Sequence, residues 1–337
     1  MNKVTYLFGA GASHNALPIV EEIPHRINDL INFLEQDKLR LDDKTTFNNA
    51  LLDKTKSKRD YQIEMVESLK WMMERSSKHA SIDTFAKKLY IKEKYPEIEK
   101  LKIAISIFFI FEQARNKPDM RYDTFFSSLI ESLIDFPENI RIISWNYDYQ
   151  FEISFAEYSD NPNIFENQEM LRVKTRNDRK SRDIGFGIYK LNGTTGLTTD
   201  RGWRHHLYAS NLNVPIDIAF VDKITQNFAM VTYQNKFASS LSFAWEEERK
   251  DNTIVDRAIE SIKDSIVLVV IGYSFPFFNR NIDRKIINSM NNLKKVYFQA
   301  PDAEVLEERF KSLRDDLTNI ILYTKYDIEQ FLIPNEL

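Results

Sequence analysis

The chain of 337 residues contains no cysteine. That removes disulfides, thiol nucleophiles and cysteine-ligated zinc from consideration. Glycine is nearly as scarce, at 8 residues, and a scarce residue that clusters beside apolar runs is informative. Long apolar runs are also missing. The most hydrophobic stretch, Ile103 to Phe111, would cover about half of a bilayer crossing and reads as a buried helix. Met1 to Phe8 is too short for a signal peptide, and too soon interrupted by Gly9, so a cytoplasmic protein is expected. Neither sign of charge dominates. A net charge of −4 gives no global drive towards nucleic acid or an anionic membrane. Of the 5 histidines, His205 and His206 are adjacent. Neighbouring side chains point different ways, and no carboxylate stands at a ligand-like spacing, so no metal is expected.

What is present is apolar material for two unequal cores: 43% hydrophobic residues, with 24 Phe and 15 Tyr. Between about residues 25 and 135 apolar side chains recur at helical spacing, in Ile63, Val66, Leu69, Trp71 and Met72, in Phe85 and Leu89, then from Leu101 to Phe111 and from Phe125 to Ile134. After Pro137 the pattern becomes one of short aliphatic runs. Val4 to Phe8, Ile140 to Trp145, Ile188 to Leu191, Ile266 to Ile271, Val296 to Phe298 and Ile320 to Tyr323 are strand candidates, several of them separated by helical patterns. Such runs predict an α/β fold, a Rossmann-like parallel sheet of about six strands covered on both faces. The sheet is expected in residues 1–24 and 136–337, with 25–135 as an inserted, mostly helical lobe.

Four of these runs end in small or polar residues. They are Gly9-Ala10-Gly11-Ala12-Ser13, Asn146-Tyr147-Asp148, Asn192-Gly193 and Gly272-Tyr273-Ser274. In an open α/β sheet, ligands bind at the carboxyl ends of the strands, so the four motifs are expected around one crevice. Glycine permits a sharp turn and close approach to a phosphate, and the following helix start favours an anion. Each motif also has a plainer reading. Asn146 and Asp148 cap the next helix, Asn192-Gly193 is a tight turn, and Gly272 to Ser274 is an ordinary strand–helix turn. Asp302, after Pro301, either caps the Ala303 helix or accepts from an adenine-side ribose. The basic run Lys174 to Arg182 reads as a solvated loop, with a nucleic-acid or partner contact as the alternative.

Taken in order, the motifs resemble the sirtuin-like NADase family of bacterial anti-phage defence proteins. Phe8-Gly9-Ala10-Gly11-Ala12-Ser13 resembles its opening phosphate loop, and Asn146-Tyr147-Asp148 its Asn-x-Asp motif at the nicotinamide end. Lys190-Leu191-Asn192-Gly193 resembles its Leu-His-Gly motif, and Gly272-Tyr273-Ser274 its late loop beside phosphates and ribose. Ser81-Ile82-Asp83-Thr84-Phe85 looks like a helix start of the bacterial branch. The resemblance implies NAD as substrate, catalytic roles for Asn146, Asp148 and Asn192, and NAD contacts at Gly9, Ala10, Gly11, Ser13, Gly272, Tyr273 and Ser274, with Asp302 beside them. It also implies an effector that depletes NAD during antiviral defence, held as a homo-oligomer or by a partner ATPase or trigger protein.

Two departures shape the expectation. Without cysteine the zinc module of sirtuin deacylases cannot form, which argues against protein deacylation. Asn192 stands where the family has histidine, and an amide cannot take a proton near neutral pH. His14 and His79 are the histidines best placed to replace it, though each reads first as a surface or capping histidine. Three functions follow: an NAD glycohydrolase, a catalytically impaired module that binds NAD or ADP-ribose, and an ADP-ribosyl transferase.

Overall fold

The structure, a computed structural model, describes residues 3–133, 135–176, 185–199, 212, 214–234, 237–247 and 252–337. His205, His206 and the basic residues 177–182 lie outside them. Strand β1 (Val4–Phe8) is buried along its whole length. Its two hydroxyls are engaged, Thr5 sharing a hydrogen bond with Ser265 (2.6 Å) and Tyr6 donating to Leu332 O (3.1 Å). An element without a polar face has to be covered on both sides. The same is true of β2 (Ile140–Ser144), which is followed by the two-residue β3 (Val173–Lys174) and by β4 (Ile188–Lys190). β5 (Gly193–Thr199) and β6 (Phe237–Leu241) pair apart from these as a ribbon. β7 (Val267–Ile271), β8 (Lys295–Gln299) and β9 (Ile321–Lys325) complete the set.

The main sheet has seven strands in the order β3-β4-β2-β1-β7-β8-β9, and its pairings are parallel. The fold is therefore α/β with a Rossmann-like parallel sheet. In the register Phe8 stands opposite both Ser144 and Ile271, so the three central strands end level. Strand order reverses between β1 and β7, which makes their carboxyl ends the topological switch point. The sequence reading found six of the seven; β3 is too short to leave a pattern.

Helices divide between two compact units, Met1–Asn15 with Pro118–Gly193 and Ser242–Leu337, and Ala16–Lys117 with Thr194–Leu241. The second holds α1 (Ile23–Leu34), α2 (Lys58–Ser76), α3 (Ile82–Ile91) and α4 (Tyr95–Arg115). α4 is buried almost continuously from Leu101 to Gln113, which accounts for the apolar run in the sequence. Ser81 caps α3 by accepting from Thr84 N–H (3.0 Å), so the Ser81 to Phe85 motif is a helix start. α5 (Met120–Leu129), α6 (Gln150–Ser159) and α7 (Ile164–Met170) belong to the sheet unit. α8 (Ile218–Tyr233) belongs to the helical one, and α9 (Ile254–Ile262), α10 (Arg280–Ser289) and α11 (Ala303–Lys311) to the sheet again.

This division differs from the expected one at both ends. α5 packs on the sheet, where Phe125 meets Tyr6 edge-on at 5.0 Å, and residues 194–241 join the helices. Helical periodicity identifies a helix but not the core that receives its apolar face. Tyr6, Phe8, Tyr122, Phe151 and Phe331 form one aromatic cluster against β1, with Tyr122 and Phe151 edge-to-face at 4.7 Å. Among the described residues no helix is long and apolar enough to cross a membrane.

Candidate active site

The turn after β1 is built around a collision that only glycine avoids. Gly9 N–H donates to Ile271 O and Gly11 N–H to Gly272 O, both at 3.0 Å. A Cβ on Gly9 would lie 2.5 Å from Tyr273 Cα, and one on Gly11 2.9 Å from Gly272 Cα. Gly272 itself has φ +58°, and its Cβ would lie 2.4 Å from Ala12 N. The ends of β1 and β7 therefore interlock through bare backbone. One consequence was not legible in the sequence. The amides of Gly9 and Gly11 are already bonded to carbonyls, so they are not the donors an incoming phosphate would meet. Ala10 is exposed at the apex of the turn.

Behind that turn four polar side chains converge. Ser13 Oγ donates to Asp148 Oδ2 (2.8 Å) and shares a hydrogen bond with the Tyr122 hydroxyl (2.9 Å). With the Ser13 proton committed to Asp148, Tyr122 is the donor of the pair. Asn146 Nδ2 donates to Gly9 O (2.9 Å) and to Ser13 Oγ (3.3 Å). The amide is thereby oriented, and among the described residues nothing donates to its Oδ1. Asp148 Oδ1 accepts from Gln150 N–H (3.1 Å), the first amide of α6, although the cap position of that helix is Tyr149. Burial pushes the Asp148 carboxyl above its ordinary range, and the Lys190 ammonium pulls it back.

Asn192 is held differently. Its Nδ2 donates to Trp145 O (3.1 Å) and its Oδ1 accepts from Ala244 N–H (3.1 Å), while its own carbonyl accepts from Ser242 N–H (3.0 Å). Gly193 follows with φ +67°, so a turn is present here too. The amide brackets the end of β2 to the segment Ser242 to Ala244. Trp145 in turn stacks on Tyr273, with ring centroids 5.5 Å apart and planes 10° from parallel. The Tyr273 hydroxyl donates to both oxygens of Asp283 (2.9 and 3.0 Å). The indole N–H of Trp145 faces the same carboxyl without meeting hydrogen-bond geometry. Burial pushes the Asp283 carboxyl well above the usual range.

No protein-family model and no curated protein sequence matches the chain.

Gly9, Ala10, Gly11, Ser13, Asn146, Asp148, Asn192, Gly272, Tyr273 and Ser274 all lie at the carboxyl ends of β1, β2, β4 and β7. Ser274 is exposed, and its carbonyl accepts from Arg309 Nη1 (2.5 Å). Asp302 heads α11 at the end of β8, but its exposed carboxylate caps no amide. His14 Nδ1 lies 2.9 Å from Arg121 Nη2. The same nitrogen lies 3.0 Å from Gly11 O, so the two neighbours call for opposite tautomers. His79 is engaged locally, against the Phe85 ring (4.8 Å) and on Arg75 O (2.8 Å). Among the described residues no group of three or more histidine, aspartate or glutamate side chains is arranged to hold a metal ion.

Sequence reasoning missed Tyr122, Arg121, Asp283 and the pair Lys190–Glu152. Arg121 binds Asp119 (2.6 Å) and donates to the carbonyls of Gly11 and Ala12 (3.2 and 2.9 Å), which clamps the glycine turn from below. Lys190 at the end of an aliphatic run was the one available signal, since a charge in a buried strand requires a partner.

Proposed function

We propose that the crevice at the ends of β1, β2 and β7 binds NAD and cleaves its nicotinamide–ribose bond, releasing nicotinamide and ADP-ribose. The observation that supports this most is the convergence of Ser13, Asn146 and Asp148 at the switch point, with Asn146 Oδ1 left as an acceptor. Nicotinamide leaves with the electrons of the C1′–N bond and becomes neutral, so its departure needs no acid. The sugar passes through an oxocarbenium-like state that calls for a placed water and nearby negative charge. Asn146 Oδ1 accepts from that water or from a ribose hydroxyl, and the Ser13–Asp148 pair supplies negative potential behind it. Water adds to C1′, and its proton passes to solvent. Asp302, exposed at the end of β8, accepts from the adenine-side ribose.

A second reading, a module that binds NAD or ADP-ribose without cleaving it, is favoured by one observation. Both polar atoms of Asn192 are engaged by main chain, and an amide takes no proton. Incubation with NAD, followed by chromatography for nicotinamide and ADP-ribose and mass spectrometry for modified protein, separates these readings from ADP-ribosyl transfer. Asn146→Ala abolishes cleavage under the first reading; cleavage that survives this change refutes it. The resemblance noted in the sequence extends the proposal to a cytoplasmic, metal-independent antiviral effector, homo-oligomeric and gated by a partner ATPase or trigger protein.

A further inference from the structure

Lys190 ends β4, and Glu152 lies in the first turn of α6. Both side chains are out of contact with water, at 1% and 0% exposure. Lys190 Nζ donates to both Glu152 oxygens (2.7 and 2.8 Å) and to the main-chain carbonyl of Asp148 (2.5 Å). Three ammonium donors thus meet three acceptors. Gln168 Nε2, from α7, donates to Glu152 Oε1 (2.8 Å), and the Tyr149 ring lies 5.3 Å from Nζ.

Such a pair is a poor device for stability. Desolvating two charges offsets most of their attraction, and apolar side chains of the same shape often hold a fold as well or better. What apolar side chains cannot do is donate to one fixed carbonyl. Here that carbonyl belongs to Asp148, whose side chain anchors Ser13, which in turn receives Asn146. We propose that Lys190 and Glu152 are positioning residues that fix the Asn146–Asp148 loop at the end of β2. The pair acts through the Asp148 main chain and through its field on the Asp148 carboxyl. Calling this loop the chemical centre rests on the NAD-cleavage reading; the contact itself does not.

The groups facing Asp148 are Lys190 from β4, Glu152 from α6, Tyr122 from α5 and Ser13 from the glycine turn. Lys190 holds its carboxyl down and Glu152 pushes it up, the lysine effect being the larger. Two variants of the full chain therefore move it in opposite directions. Lys190→Met/Glu152→Leu removes both charges and raises the Asp148 titration. Glu152→Gln leaves the lysine unopposed and lowers it. Carboxyl-carbon NMR of aspartate-labelled protein reads this directly, with the resonance assigned through Asp148→Asn.

The apolar swap is near neutral in itself but orphans the Asp148 carbonyl, so the double variant is expected to melt about 2–12 °C below the parent. Amide exchange over residues 145–150 should rise about 10-fold, a local opening. NAD turnover should fall about 10-fold or more in kcat with KM little changed, as displaced positioning predicts. A folded double variant with parental exchange at 145–150 and parental Asp148 titration overturns the proposal. If that variant does not fold, Glu152→Gln decides: a lowered Asp148 titration supports the proposal and an unmoved one overturns it. If the parent fails to cleave NAD, the functional reading falls, while exchange and titration still decide the role of the pair.

Discussion

Replacing Asn192 with alanine removes two bonds from a place that water cannot refill. The side chain is 7% exposed, and its loss orphans Trp145 O and Ala244 N–H, each bonded at 3.1 Å. An orphaned buried polar group costs about 1–3 kcal/mol, so the pair is worth about 2–6 kcal/mol before any repacking. For a domain of this size each kcal/mol lowers Tm by about 2–4 °C, which puts the expected drop at roughly 4–24 °C. Far-UV circular dichroism or calorimetry measures it. Asn192→His is expected to destabilise as well, because an imidazole cannot reproduce both bonds in the amide's geometry, and NAD cleavage should not rise. An alanine variant that melts within about 1 °C of the parent would show that the bracket carries nothing. A histidine variant that melts like the parent and cleaves NAD about 10²–10⁴-fold faster, the gain of a positioned acid–base group, would refute the bracket and make this position catalytic.

Gly272→Ala puts a Cβ 2.4 Å from Ala12 N at a positive φ; a loss of at least about 2 kcal/mol in urea unfolding is expected, and a smaller one means the two turns can part. Asp302→Ala should leave Tm unchanged, since the carboxylate caps no amide, yet weaken NAD binding by calorimetry; equal affinity removes Asp302 from the site. Asp283 titrates above the 3.8 usual for aspartate, so its contribution to stability is complete below that value and lost as pH rises through its folded pKa. Asp283→Asn lacks this loss, and its Tm relative to the parent should improve as pH rises above about 4. A difference that does not vary with pH would place the carboxyl in an ordinary environment.

The sheet was legible because its strands are short, mostly apolar runs. Val4–Phe8, Ile140–Ser144 and Val267–Ile271 have no polar face, and their ends carry the residues that converge at the switch point. β3, with two residues, has no period to detect. α5 was recognised as helical but given to the wrong core, because periodicity describes one element and not its neighbour. The ribbon β5–β6 runs through Gly193-Thr194-Thr195-Gly196, whose composition suggests a loop. In the site, residue types were visible and their engagements were not. Gly9 and Gly11 looked like phosphate donors, yet their amides bond to β7 carbonyls. Lys190 stood in a strand candidate with no evident partner, and only the fold brings it to Glu152.

β1 lies between β2 and β7, and its two partners are synthesised at very different times. A chain growing on the ribosome makes β1 first and can pair it with β2 midway. The other edge stays open until Val267 to Ile271 have emerged, which at about 5–20 residues per second is an interval of tens of seconds. Until then the Gly272 half of the interlock does not exist, and Gly9 N–H has no carbonyl to bind. Whatever chemistry the crevice performs is thus withheld from the nascent chain and from any fragment that stops short of β7. The same arrangement means that separately made amino- and carboxyl-terminal pieces, each inert, would acquire a complete crevice only on finding one another.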